Sequence, residues 1–199
     1  MLKKILAATT NQGKVREIKE ILSDYEIISL KDAGIDVDVE ENGKTFAENA
    51  YIKASEISKL SDLPVLADDS GLEIEALGGR PGVYSARYAG EDAPYSVKIK
   101  RLAEELKDVP PDKRYAQFAC AVCLIFPDGK RLEGFGVSCP GIVLETPKGE
   151  NGFGYDPVFY SIDYKKTFAE MTPEEKNKVS HRKAALTDLS NKLKGEMLK

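Results

Sequence analysis

Tryptophan is absent from the 199 residues, and histidine occurs once, as His181. A single imidazole cannot supply the several nitrogen ligands of a histidine-rich zinc centre. Cysteine is scarce as well: three residues, an odd number, exclude a closed disulfide framework and point to a reducing compartment, by default the cytoplasm. Cys120 and Cys123 have C-x-x-C spacing, but they lie in an apolar stretch of strand character, where residues three apart face opposite ways; both read as buried structural thiols. No apolar run approaches the roughly 18 residues of a membrane span, so no membrane partner is expected. The short run at residues 2–8, interrupted by two lysines and cut off by Thr9, Thr10, Asn11 and Lys14, reads as a buried first strand rather than a signal peptide. An excess of positive charge is also missing. With a formal charge of −4 there is no broad basic face for nucleic acid, and any anionic ligand must be small and locally held.

What is present is an ordinary globular composition, 42% hydrophobic and 31% charged, without repeats or linkers. The first strand leads through a polar turn at residues 9–14 into a helix marked by Val15, Ile18, Ile21 and Leu22. A second strand is expected at residues 27–30, then a polar connection to Gly43. Thr45 and Glu48 have capping-box spacing and open a helix ending near Leu60. The run Val65-Leu66-Ala67 delivers Asp68-Asp69-Ser70-Gly71 at a strand-to-turn junction, and Leu72, Ile74 and Ala76 alternate beyond it. Pro94 falls in the first turn of a helix to about Leu106. Residues 115–126 and 130–137, separated by Pro127-Asp128-Gly129, form a long hairpin, and a short strand follows at residues 158–160. Thr172-Pro173-Glu174-Glu175 is a helix start, and Leu186, Leu189 and Leu193 stripe a last helix from about His181 to Lys194. The sum is a single α/β domain, residues 1–199, with an elongated mixed sheet flanked by helices, bilobal and without a clean boundary between the lobes.

Several of these segments carry candidate chemistry. Thr9-Thr10-Asn11-Gln12-Gly13-Lys14 is not a Walker A sequence, yet backbone N–H groups at a helix start, the helix dipole and Lys14 suit a phosphate; a plain connection has the same letters. Two carboxylates, Asp68 and Asp69, suit Mg²⁺, which takes one or two carboxylates plus substrate phosphates, and Glu40 or Glu41 can add another ligand; a self-bonded turn is the alternative. Lys53 shares a helix face with Asn49. Gly152-Phe153-Gly154-Tyr155-Asp156 combines glycines for close backbone approach with rings for stacking. Ser180-His181-Arg182 opens the last helix, where His181 taken alone is a surface residue; a serine-hydrolase triad with Ser70 is excluded because the G-x-S-x-G elbow is missing.

Taken together and in this order, these pieces resemble the inosine triphosphate pyrophosphatase family. The likeness is carried by residues 68–72 and 78–88, by Phe46-Ala47-Glu48-Asn49-Ala50, by Gly152 to Pro157 and by Ser180-His181-Arg182. The resemblance implies an α/β fold with two lobes around a central nucleotide-binding cleft, and Mg²⁺-dependent hydrolysis of nonstandard purine nucleoside triphosphates (dITP, ITP, XTP) to monophosphate and pyrophosphate, usually by a homodimer. It makes Asp69 catalytic and, with Glu41, metal-binding. Substrate contacts fall on Thr9, Thr10, Asn11, Gln12, Gly13, Lys14, Lys53, Ser70, Phe153, Gly154, Tyr155, Asp156, Lys176, His181 and Arg182. A nucleotide sensor without turnover, or a pyrophosphatase of the same fold for pyrimidine or modified nucleotides, are the alternatives. Intact Asp69, Glu41, Lys14 and Lys53 count against the first, and Ser180-His181-Arg182 against the second.

Overall fold

A computed structural model describes residues 4–197; Leu2 and Lys3 of the expected first strand lie outside them. Eight strands form a mixed sheet: β1 (Lys4–Ala7), β2 (Glu26–Ser29), β3 (Val65–Ile74), β4 (Tyr115–Ile125), β5 (Arg131–Val137), β6 (Gly141–Val143), β7 (Phe159–Ser161) and β8 (Lys166–Thr167). They pair in the order β2–β1–β3–β4–β6–β7–β8, with β5 also on β4. The helices are α1 (Gln12–Ile21), α2 (Phe46–Ser58), α3 (Tyr95–Glu105), α4 (Pro173–Val179) and α5 (His181–Met197). The chain divides into two compact units, one of residues up to Asp69 with 120–136 and 182 onward, the other of residues 70–119 and 137–181.

In the first unit β1 runs parallel to both β2 and β3, with Ala7 opposite Leu66. Its core contains Ile5, Ile18, Leu66, Val122, Leu186 and Leu189. Each of these side chains contributes about 1.5–3 kcal/mol by leaving water. The α5 stripe thus does what its spacing implies: Leu186, Leu189 and Leu193 are all buried. Helix α5 also lies against β5 at Gly134, where a Cβ would come within 2.4 Å of the Ala185 carbonyl oxygen. Two side chains of α5 meet the backbone of β5: Asp188 accepts the Phe135 N–H at 3.1 Å and Lys192 donates to the Glu133 carbonyl at 2.8 Å. Asp188 and Lys192 are themselves paired at 2.8 Å. Cys120 and Cys123 are buried, their thiols pushed up to about 12 by burial.

The second unit has a separate core of Leu72, Ile74, Leu102, Phe118, Phe159 and Phe168, in which Phe118 and Phe159 lie 4.9 Å apart. Here β6 and β7 are antiparallel, as are β7 and β8. The capping boxes expected from Thr45 and Thr172 are both formed.

Four expectations are corrected. The pair Asp68-Asp69 does not sit at a strand end, because β3 continues unbroken to Ile74; with both carboxylates buried and partnered, nothing requires a turn there. The alternation beyond it stops at Ile74, and Ala76 falls in a 3₁₀ turn, Glu75–Leu77. Pro94 is the cap of α3 rather than part of its first turn, with extended backbone at ψ 154°. The short strand begins at Phe159, one residue later than expected, since Val158 N–H already closes a turn to the Tyr155 carbonyl at 3.0 Å.

Candidate active site

The polar turn after β1 stands at the carboxyl end of a parallel strand, the usual place for a ligand in an open α/β sheet. It caps itself. Asn11 Oδ1 accepts the N–H groups of Gly13 and Lys14 at 2.9 and 3.2 Å, and Thr9 Oγ1 accepts that of Asn11 at 3.2 Å. The expectation of free backbone donors is therefore corrected for these amides: Asn11, an excellent helix cap, takes them first. What the turn presents outward is Thr10 and Gln12, whereas the Lys14 ammonium reaches the buried Asp68 at 3.1 Å.

Successive residues of a strand point to opposite faces, so Asp68 and Asp69 enter different surroundings. Asp68 Oδ2 receives Arg182 Nε at 3.1 Å and Nη2 at 2.9 Å, and the other guanidinium nitrogen, Nη1, pairs with Glu17 of α1. Burial by itself would raise the Asp68 carboxyl, but Lys14, Arg182 and Lys53 outweigh it and hold the group well below the usual carboxylate range. Its second oxygen, Oδ1, is buried with no hydrogen-bond partner among the described residues.

Asp69 has the opposite setting. Burial, then the charge of Glu41, push its carboxyl up to about 6, against the opposing effects of Lys14, the hydrogen bond from Asn49 and Lys53. That bond runs from Asn49 Nδ2 to Asp69 Oδ2 at 2.9 Å, and Asn49 Oδ1 accepts the Gly43 N–H at 2.8 Å. The fully buried Asn49 thereby ties the loop before α2 to the carboxylate. Lys53, one turn further along α2, pairs with Glu41 and donates to the Asp68 carbonyl oxygen at 3.3 Å. A recess of about 90 Å³ opens here, its lining including the polar Thr9, Thr10, Glu41 and Lys53 and the apolar Leu30 and Ile57.

Among the described residues no three His, Cys, Asp or Glu side chains form a ready-made metal cage. Asp69 and Glu41 nevertheless fit a hard divalent cation: both offer oxygen donors, the charge of Glu41 helps push the Asp69 carboxyl up, and a doubly charged ion relieves that repulsion.

The second unit carries the remaining candidates. Asp156 Oδ2 accepts the Phe153 N–H at 2.8 Å and the Lys176 ammonium at 2.6 Å, and Lys176 Nζ lies 4.8 Å from the centre of the Phe153 ring. Gly152 makes this possible: its φ is +74°, and a Cβ there would lie 2.1 Å from Asp156 Oδ2. Tyr155 donates its hydroxyl to the Ser85 carbonyl at 2.9 Å, which fixes the chain beside Gly154. Ser70, half-buried, begins this unit on β3. His181 is not the surface residue its position suggests. Only 5% exposed, its ring stacks on Phe118 at 4.8 Å and 17°.

Two residues outside the expected set matter. Asn49 orients Asp69, and Glu17 completes the carboxylate pair around Arg182. A charged residue beside the apolar positions Val15 and Ile18 was the signal for Glu17, and spacing one turn before Lys53 was the signal for Asn49.

Residues 5–192 match the model of the Ham1 family. The chain is 52% identical over 202 aligned residues to the dITP/XTP pyrophosphatase of Clostridium perfringens, with 98% of each chain covered. It is 47% identical over 197 residues to that of Bacillus subtilis, covering 97% of this chain and 98% of the relative. Among solved structures it is similar to the Ham1 protein of Staphylococcus aureus, with a TM-score of 0.84 and 42% identity over 98% of this chain and 100% of the other. The HAM1 protein of Coxiella burnetii gives the same score and identity over 97% and 99%. Agreement of the family model, of relatives close to half identical and of solved folds over nearly the same span means that this chain belongs to the Ham1 family.

Proposed function

We propose that the chain hydrolyses nonstandard purine nucleoside triphosphates, dITP, ITP and XTP, to monophosphate and pyrophosphate with Mg²⁺. The observation that carries this reading is the adjacency on β3 of two buried carboxylates with opposite electrostatic settings, Asp68 held ionised by cations and Asp69 raised by burial and Glu41. Paired titratable groups driven apart by their surroundings are a mark of catalytic sites. The names of the relatives, dITP/XTP pyrophosphatases, supply the substrate class.

In this reading Asp69 and Glu41 hold the metal, and Asp69 also orients the attacking water. Mg²⁺, when bound, screens the phosphate charge and draws electron density from the reacting phosphorus. Asn49 fixes the plane of the Asp69 carboxylate. Lys14 and Lys53 meet the triphosphate, whose charge of about −4 has to be neutralised before water can approach phosphorus. The turn from Thr9 to Lys14 cradles those phosphates with the side chains of Thr10 and Gln12 and the Lys14 ammonium. Arg182 is among the substrate contacts that the resemblance implies, but its fully buried guanidinium is committed to Asp68 and Glu17, so its role becomes the positioning of Asp68. Ser70, Phe153, Gly154, Tyr155, Asp156, Lys176 and His181 serve the nucleoside, with Phe153 as a stacking surface and His181 as a donor to a 6-oxo group. The family reading also makes the working form a cytoplasmic homodimer; among the described residues no helix is long and apolar enough to cross a membrane.

The deciding experiment is a panel of nucleoside triphosphates with Mg²⁺, resolving pyrophosphate from orthophosphate. Inosine triphosphate should give monophosphate and pyrophosphate. Diphosphate and orthophosphate as direct products would reject the reading.

A further inference from the structure

Both lysines assigned to the triphosphate are engaged by carboxylates in the structure: Lys14 with Asp68 at 3.1 Å, and Lys53 with Glu41. The second pair joins two different elements, α2 and the loop before it, and neither side chain is solvated in the manner of a surface pair. Lys53 is 14% exposed and Glu41 23%. Ion pairs sheltered to this degree are screened less than surface pairs, so salt does little to loosen the hold of the ammonium on Glu41.

We infer that Lys53 is the resident counterion of the metal site: it occupies Glu41 while no nucleotide is bound, keeps free Mg²⁺ out, and gives Glu41 up when the phosphates of an incoming triphosphate take its ammonium. The inference rests on the assignment of Glu41 as a metal ligand and extends it to the order of loading. A divalent cation approaching Glu41 alone meets a fixed positive charge on its own ligand. A phosphate oxygen arriving first offers Lys53 a better-charged acceptor and turns the Glu41 carboxylate toward the cation. By linkage, metal and nucleotide then favour one another's binding to the same degree, and the coupling passes through one side chain. Lys14 makes the same kind of pair at Asp68, a carboxylate that Arg182 also holds.

The test is Mg²⁺ binding to nucleotide-free protein by isothermal titration calorimetry, for wild type, Lys53→Met, Glu41→Gln and the double variant. Lys53→Arg, which keeps the charge, serves as control, and circular dichroism checks the fold of each. Lys53→Gln replaces the Met variant if that one does not fold. Lys53→Met should bind Mg²⁺ about fivefold or more tightly than wild type, the smallest coupling usually seen between linked sites. The gain should disappear in the double variant and be absent in Lys53→Arg. Should Lys53→Met bind Mg²⁺ no better than wild type while Glu41→Gln binds it less well, the counterion role falls and the metal assignment stands. Unchanged affinity on adding Glu41→Gln to either background removes Glu41 from the metal site, and with it both the assignment and the inference.

Discussion

Arg182 donates to a single oxygen of Asp68 through two nitrogens, Nε at 3.1 Å and Nη2 at 2.9 Å, inside a site where each residue is no more than 1% exposed. The first helical turn of α5 is thereby pinned to the middle of β3, and the remaining guanidinium nitrogen ties in Glu17 of α1. Removing one partner of such a group leaves an uncompensated buried charge, which typically costs about 3–5 kcal/mol. Arg182→Met should lower unfolding stability by that order in urea titrations, and Arg182→Met with Asp68→Asn should recover part of the loss. A loss under about 1 kcal/mol would mean that the pair contributes no more than a surface ion pair. The pH dependence has a definite sign. Since the Asp68 carboxyl is lowered in the folded state, the unfolded chain takes up its proton first, so the contribution is present above about pH 4 and is lost as pH falls below it.

Asp69→Asn preserves shape and removes charge. The turnover number should fall roughly 10²-fold or more, the scale for loss of a charge-stabilising catalytic group. Stability should not fall with it, because burial and Glu41 both oppose an ionised Asp69 in the metal-free protein. Thermal unfolding beside steady-state kinetics separates the two effects; near-normal turnover would take Asp69 out of the mechanism.

Lys14→Met and Lys53→Met each delete one ammonium while retaining the stem. Loss of a charged hydrogen bond, worth about 1.5–3 kcal/mol, should lower kcat/KM for inosine triphosphate by roughly ten- to a hundredfold. Two variants indistinguishable from wild type would show that the phosphates bind elsewhere.

Base selection should depend on His181. A donor facing a 6-oxo group finds an acceptor in inosine and xanthosine, whereas the amino group of adenosine leaves it unpaired, at about 1–3 kcal/mol. ATP should be a poor substrate, and His181→Ala should narrow the ratio of kcat/KM between inosine triphosphate and ATP. An unchanged ratio would confine His181 to its packing on Phe118.

Gly71→Ala probes the backbone beside the site. An added Cβ would stand 2.2 Å from the Gly82 carbonyl oxygen and 2.5 Å from Ser85 Oγ. Overpacking of this kind typically costs about 1–3 kcal/mol. A variant with wild-type unfolding midpoint would show that the segment around Gly82 yields without cost.

The elements written in local spacing were legible from the sequence. The Thr45–Glu48 and Thr172–Glu175 boxes form as read, and the Leu186, Leu189 and Leu193 stripe is buried. Misreadings arose where a distant partner changes what a residue does. Asp68-Asp69-Ser70-Gly71 has the composition of a turn, but it lies within a strand, where distant partners hold both carboxylates, Arg182 on Asp68 from 114 residues away and Asn49 on Asp69. His181 at a helix start has no local reason to be buried; the Phe118 ring supplies one. The Thr9 to Lys14 turn was recognisable as a phosphate candidate, but the competition of Asn11 for its amides depends on side-chain geometry that letters do not carry.

The meeting of α5 with β5 has a consequence for the molecule in a crowded solution. A strand whose outward amides and carbonyls are unanswered is a template for a strand from another molecule, the first step toward fibrillar aggregation. Asp188 and Lys192 answer one of each, at Phe135 and Glu133, with an acceptor and a donor set one helical turn apart. At this stretch of β5, two charged side chains stand where a foreign backbone would have to bond, and an intruding strand would first have to strip both of them away.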